Sequence, residues 1–83
     1  MRMEKAELEE ALRRAKFCMK RRVMIQYNGA EYIPHGLYLQ YSGKDGFFYS
    51  IELIQNSRRN CLIIVPLDDV DLPAEGGGYK LAD

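Results

Sequence analysis

The chain has 83 residues and carries 12 lysines and arginines against 12 aspartates and glutamates, a formal net charge of zero. Soluble domains usually run to about 100–150 residues, so this length holds one domain and excludes multi-domain enzymes, TIM barrels and dinucleotide-binding folds. With 47% hydrophobic and 29% charged residues, the composition is that of a globular chain and not of a disordered one.

Residues 4–22 read as one helix. From Glu4 to Arg22 there is no glycine, proline or β-branched residue, and Ala, Leu, Glu, Lys and Arg dominate, all strong helix formers. Leu8, Ala11, Leu12, Ala15, Cys18 and Met19 recur at spacings of three and four and make a single apolar stripe. Acidic residues gather at the start and basic ones at the end, which suits the helix dipole. Glu9 with Arg13 and Glu10 with Arg14 stand in the favourable i,i+4 order.

At Val23 the period changes to two. Val23–Tyr27 is a first strand, and Asn28-Gly29 after it accepts positive φ at both positions, a strong hairpin signal. The second strand, Glu31–Tyr41, contains Pro34 and Gly36, which predict a bend or bulge before Leu37 and Leu39 resume the inward face. After the loop Ser42–Gly46, the third strand spans Phe47–Ile54 with Phe47, Tyr49, Ile51 and Leu53 on one face. The polar stretch Asn56–Asn60 turns into a fourth strand, Cys61–Val65, closed by Pro66. A last strand is expected near Val70–Leu72, stopped by Pro73. Residues 74–83, with Gly76-Gly77-Gly78, read as a flexible tail, leaving residues 1–73 as the folded domain.

The fold class expected is mainly β with one N-terminal helix. One helix and five short antiparallel strands, the second bent, is the element order of a small SH3-like or Sm-like barrel. Such barrels bend their long strands to close the sheet and remove edges, and the helix would cap one open end.

Four segments between Ala15 and Leu72 carry a more specific likeness. They are Arg22-Val23-Met24-Ile25-Gln26-Tyr27, Pro34-His35-Gly36-Leu37-Tyr38, Asp45-Gly46-Phe47-Phe48-Tyr49 and Leu67-Asp68-Asp69-Val70. In this order they resemble the WYL domain, an Sm-like barrel of bacterial transcription regulators and some CRISPR-associated regulators. Phe48 stands at the family's naming tryptophan, Ser50 at the following leucine, and Asp69 and Ile63 where the family has arginines. The resemblance implies a regulatory module that binds nucleic acid or a nucleotide-like ligand.

Catalytic chemistry finds little footing in these residues. His35 is the only histidine, and no elbow motif surrounds Ser42 or Cys61 to make it the base of a nucleophile. Asp68, Asp69 and Asp71 form an acidic turn but lack the spacing of a calcium loop, and zinc wants three or four clustered ligands. No glycine-rich phosphate loop is present. The expectation is a binding module and not an enzyme, with no catalytic residue, metal or cofactor. Cys18 and Cys61 form no framework and read as small hydrophobes in a reduced, cytoplasmic setting. The first turns are interrupted by glutamates, unlike a signal peptide. The longest apolar run, Leu62–Leu67, is far below the ~20 residues of a membrane span.

The helix end is the best polar feature. Arg13, Arg14, Lys16, Lys20, Arg21 and Arg22 put six positive charges in ten residues. Arg13, Arg14, Phe17, Lys20 and Arg21 lie opposite the apolar stripe. Cations around a ring are what single-strand binders use, charge for the backbone and an aromatic for stacking. A solvated helix face accounts for the same charge without a ligand. Tyr27, Tyr49 and His35 on the strands, with Arg58 and Arg59 on the loop between the third and fourth, complete the candidate set of Arg13, Phe17, Lys20, Arg21, Tyr27, His35, Tyr49, Arg58 and Arg59. The expected partner is a single-stranded nucleic acid or nucleotide-like ligand, and no membrane. The alternative is a protein-contact or homo-oligomerisation domain that uses Phe17 and a barrel edge. The zero charge is itself a cancellation: residues 1–22 hold eight basic and four acidic groups and the remainder the reverse, so the helix and the strand region should attract one another.

Overall fold

The computed structural model describes residues 4–58 and 60–82. Helix α1 spans Lys5–Arg21. Its start is held by the Glu4 backbone N–H, which donates to the Glu7 carboxylate at 3.0 Å, and its end by the Val23 N–H, which donates to the Cys18 carbonyl at 2.9 Å. That closing turn needs Arg22 in the left-handed region, φ 56°, a conformation in which non-glycine residues are uncommon. The predicted stripe faces the core. Ala11, Ala15 and Cys18 are buried, while Leu8 and Leu12 pack half-buried beside them. The deepest positions are the small ones, so the helix backbone sits close to the sheet.

Four strands follow, β1 (Ile25–Tyr27), β2 (Ala30–Ser42), β3 (Gly46–Gln55) and β4 (Leu62–Pro66). They form one antiparallel sheet in the order β1-β2-β3-β4, curled into a half-barrel. Asn28 and Gly29 turn β1 into β2 with φ of 51° and 79°, the paired positive angles the dipeptide was read to supply. Between β2 and β3 the register slips between Pro34 and Gly36, so His35 is the extra residue of a β-bulge and the predicted bend is present. Ile25, Ile51, Leu53, Val65 and Leu67 share one core with the helix.

Two expectations change. Instead of a fifth strand at Val70–Leu72, a short 3-10 turn (Leu67–Asp69) leads to a single bridge between Asp71 and Gln26. The alternating pattern also runs further than the core does. Leu39 shares the inward parity of Leu37 yet is 58% exposed, and Phe47 is 70% exposed, because the β2–β3 hairpin continues beyond the buried cluster. At its tip Phe47 meets Tyr41 edge-on, 5.1 Å between centroids.

Residues 74–82, placed in the tail by composition, run back along the start of the strand region. Leu81 bridges to Val23, Met24 N–H donates to the Lys80 carbonyl at 2.8 Å, and Ala82 N–H donates to the Arg22 carbonyl at 2.7 Å. Lys80 pairs with Glu31 at 3.1 Å. Both cysteines are free, with Cys18 buried and its thiol pushed up to about 11 by desolvation.

Truncating Leu53, which is fully buried, to alanine should cost about 2–5 kcal/mol in a urea titration. Leu39→Ala at the exposed hairpin should cost less than about 1 kcal/mol. Equal losses at the two sites would place the core boundary elsewhere.

Candidate ligand-binding surface

The helix brings part of the predicted set together. Arg13, Lys16, Phe17, Lys20 and Arg21 line one shallow groove of about 330 Å³, together with Glu75. Their spacing of three, four and one places them on one face for the same reason that the apolar stripe occupies the other. The charge is partly answered from within. Glu10 accepts from Arg13 at 2.6 Å and from Arg14 at 2.8 Å, so a single carboxylate takes both arginines, where the sequence assigned one glutamate to each. These bonds, Arg13 first, hold the Glu10 carboxyl below its usual range. Lys16, Lys20 and Arg21 remain exposed along the groove.

Phe17 is not the exposed apolar group that the helical wheel predicted. Tyr79 from the C-terminal segment packs edge-on against it at 5.6 Å, and the Arg21 guanidinium lies 5.9 Å from its ring centroid, within cation–π range. The ring is half-buried as a result and packs against the core. Neither Glu75 nor Tyr79 could be found by periodicity, because both lie in a glycine-rich stretch that has none.

Tyr27, His35, Tyr49 and Arg58 lie apart from this groove. Tyr27 is half-buried against Tyr32, 6.2 Å edge-on. Tyr49 packs half-buried on the core. Arg58 is exposed on the β3–β4 loop, and Arg59 lies outside the described residues.

His35 belongs to a second cluster, on the sheet face opposite the core. Glu52 on β3 is 7% exposed and faces Gly36 on β2. One of its oxygens accepts from the Tyr38 hydroxyl, and the other lies 2.6 Å from His35 Nδ1. An ionised carboxylate only accepts, so the Nδ1 must carry the proton and Nε2 is left for other partners. Gly36 makes room for this network, since a Cβ there would stand 3.3 Å from the Tyr38 hydroxyl oxygen. Beside it, the buried Ser50 hydroxyl donates to the Gln40 side chain. The bond from Tyr38, and then that from His35, hold the Glu52 carboxyl below its ordinary value, and the same bond raises the Tyr38 phenol. Glu52 went unremarked in the sequence; its one signal was a lone carboxylate among the apolar residues of a central strand. Among the described residues no group of three or more His, Cys, Asp or Glu could hold a metal ion, and no helix is long and apolar enough to cross a membrane.

Because its folded-state pKa is depressed, Glu52 stabilises the fold above the unfolded carboxylate value, and this contribution is lost as pH falls through the folded value. Tyr38→Phe removes the largest cause, so Glu52 should titrate at higher pH than in the wild type, read from its side-chain carboxyl carbon by NMR. Glu52→Gln should flatten the acid limb of a stability-versus-pH curve. An unmoved Glu52 titration in Tyr38→Phe would show that the phenol does not hold the carboxylate. Compared with known proteins, the chain matches no family model, no curated protein and no solved structure.

Proposed function

We propose that the protein is a non-enzymatic regulatory binding module that holds a single-stranded nucleic acid or nucleotide-like ligand along α1. The observation that carries this role is the convergence of Arg13, Lys16, Lys20 and Arg21 on one groove around Phe17. Phosphate groups would follow the exposed cations, while Phe17 and Tyr79 offer ring surface beside them. Glu75 in the same groove is an intramolecular competitor that a polyanion would have to displace. The WYL resemblance supports the regulatory setting, and the passage from β4 through a 3-10 turn to the Asp71–Gln26 bridge lies where a five-stranded SH3-like barrel would close.

Anisotropy with a labelled oligothymidine of about 12 nucleotides tests this, with salt varied from about 50 mM upward. Binding should weaken steeply with salt, and the variant Lys20→Glu/Arg21→Glu should bind about tenfold or more weakly with a shallower salt slope. A nucleoside monophosphate serves as the second probe. No binding of either at the lowest salt, or binding indifferent to the double variant, overturns the assignment.

One observation favours a second role, contact with another protein. Leu39, Tyr41 and Phe47 are 58%, 66% and 70% exposed at the hairpin tip, a cluster of large apolar groups of the kind that marks interaction sites. Phe17, half-buried against Tyr79, offers such a partner less surface than this cluster does.

A further inference from the structure

The sheet treats its two edges differently. On the β1 side the chain pairs with itself, Gln26 of β1 with Asp71 and residues 22–24 just before β1 with 80–82. Among the described residues nothing pairs with the outer edge of β4, which ends the sheet.

The register shows which backbone groups that edge offers. Gln55 N–H donates to the Cys61 carbonyl at 3.0 Å, so the Cys61 carbonyl is turned toward β3. Alternation along an antiparallel ladder then turns the N–H and C=O groups of Ile63 and Val65 toward β3. Those of Leu62 and Ile64 point outward. Pro66 points outward too, and its missing N–H costs the sheet no bond. Leu62 and Ile64 are each 50% exposed. Soluble proteins usually blunt such an edge with charge, a bulge or a cover; residues 61–67 contain no charged side chain.

We infer that β4 pairs with β4 of a second copy of this chain, antiparallel, about a two-fold axis near Ile64. Four N–H···O=C bonds then form between the copies from the outward groups of Leu62, Ile64 and Pro66, and the two half-barrels share one continuous sheet. Charge selects both the occupant and the direction. Arg58 precedes the strand and Asp69 follows it, so antiparallel pairing sets the basic end of each copy beside the acidic end of the other. Parallel pairing would set like beside like. A two-fold axis makes the contact self-complementary and closed, so it stops at two copies. The pairing rests on the edge and its flanks, independently of any ligand on the helix.

Sedimentation of the full chain from about 5 to 300 µM tests this, the range in which contacts of modest area dissociate. The mass should rise from 9.6 kDa toward twice that value. Ile64→Lys sets two cations against each other at the axis and should weaken association about tenfold or more. Ile64→Pro removes only an outward N–H and should do the same, with circular dichroism checking that each variant is folded. Arg58→Glu and Asp69→Lys should each weaken the dimer, and the two together should restore it. A monomer at every concentration, or a dimer unmoved by both Ile64 variants, overturns the proposal. A dimer that the double charge reversal fails to restore overturns the antiparallel pairing.

Discussion

One extra residue in β2 sets the shape of the sheet. Through residue 34 the strand keeps one register with β3, and from Gly36 onward another, with His35 taken up between them. A bulge bends its strand and increases the local twist, and this is how four strands can wrap a core that needs only one helix to complete it. The residues on either side fit the task. Pro34 is buried and ends the first register, while Gly36 leaves the space that the Tyr38 side chain fills. The bulge also turns His35 toward Glu52, so the device that curls the sheet builds the polar network on its outer face. A carboxylate 7% exposed is tolerated there because both oxygens are engaged.

The charge division between helix and strand region has a visible consequence. Arg13 is held by Glu10 and feels the field of Glu75, a residue some sixty positions away in sequence that lies across the same groove. The C-terminal segment is therefore joined to the helix by charge and by the Phe17–Tyr79 contact, and to residues 22–24, just before β1, by backbone hydrogen bonds. These contacts cover one sheet edge and half of an aromatic ring. They also place an internal anion in the groove where an external one would bind. Glu75 and Tyr79 are thus tied to whatever the helix face binds.

Much of the architecture was legible because it rests on local rules. The helix from 5 to 21, the Asn28-Gly29 hairpin, the bend at Pro34–Gly36 and the positions of β3 and β4 all follow from periodicity and from residues with restricted or permissive φ. The clustering of Arg13, Phe17, Lys20 and Arg21 was legible for the same reason, since a helix fixes which residues share a face. Arg22 was not: a left-handed turn made without glycine leaves no compositional mark. Nor was the reduction of the expected fifth strand to one bridge, because Val70–Leu72 carries a strand pattern and among the described residues only Asp71 pairs.

Local rules in the sequence placed the helix and the first four strands and set which way their side chains alternate, because dihedral preferences and hydrophobic period act within a few residues. Only the tertiary structure decided how far the core extends along the β2–β3 hairpin, which leaves Leu39 and Phe47 in solvent despite their inward parity. It alone joined His35 and Tyr38 to Glu52, Tyr79 to Phe17 and Glu75 to the helix cations. Each of these contacts unites residues that no local rule relates; they depend on the curl of the sheet and the return of the chain's end. The pattern also left open which sheet edge is covered and which, among the described residues, is unpaired, since that follows from where Asp71 meets β1 and residues 80–82 meet residues 22–24.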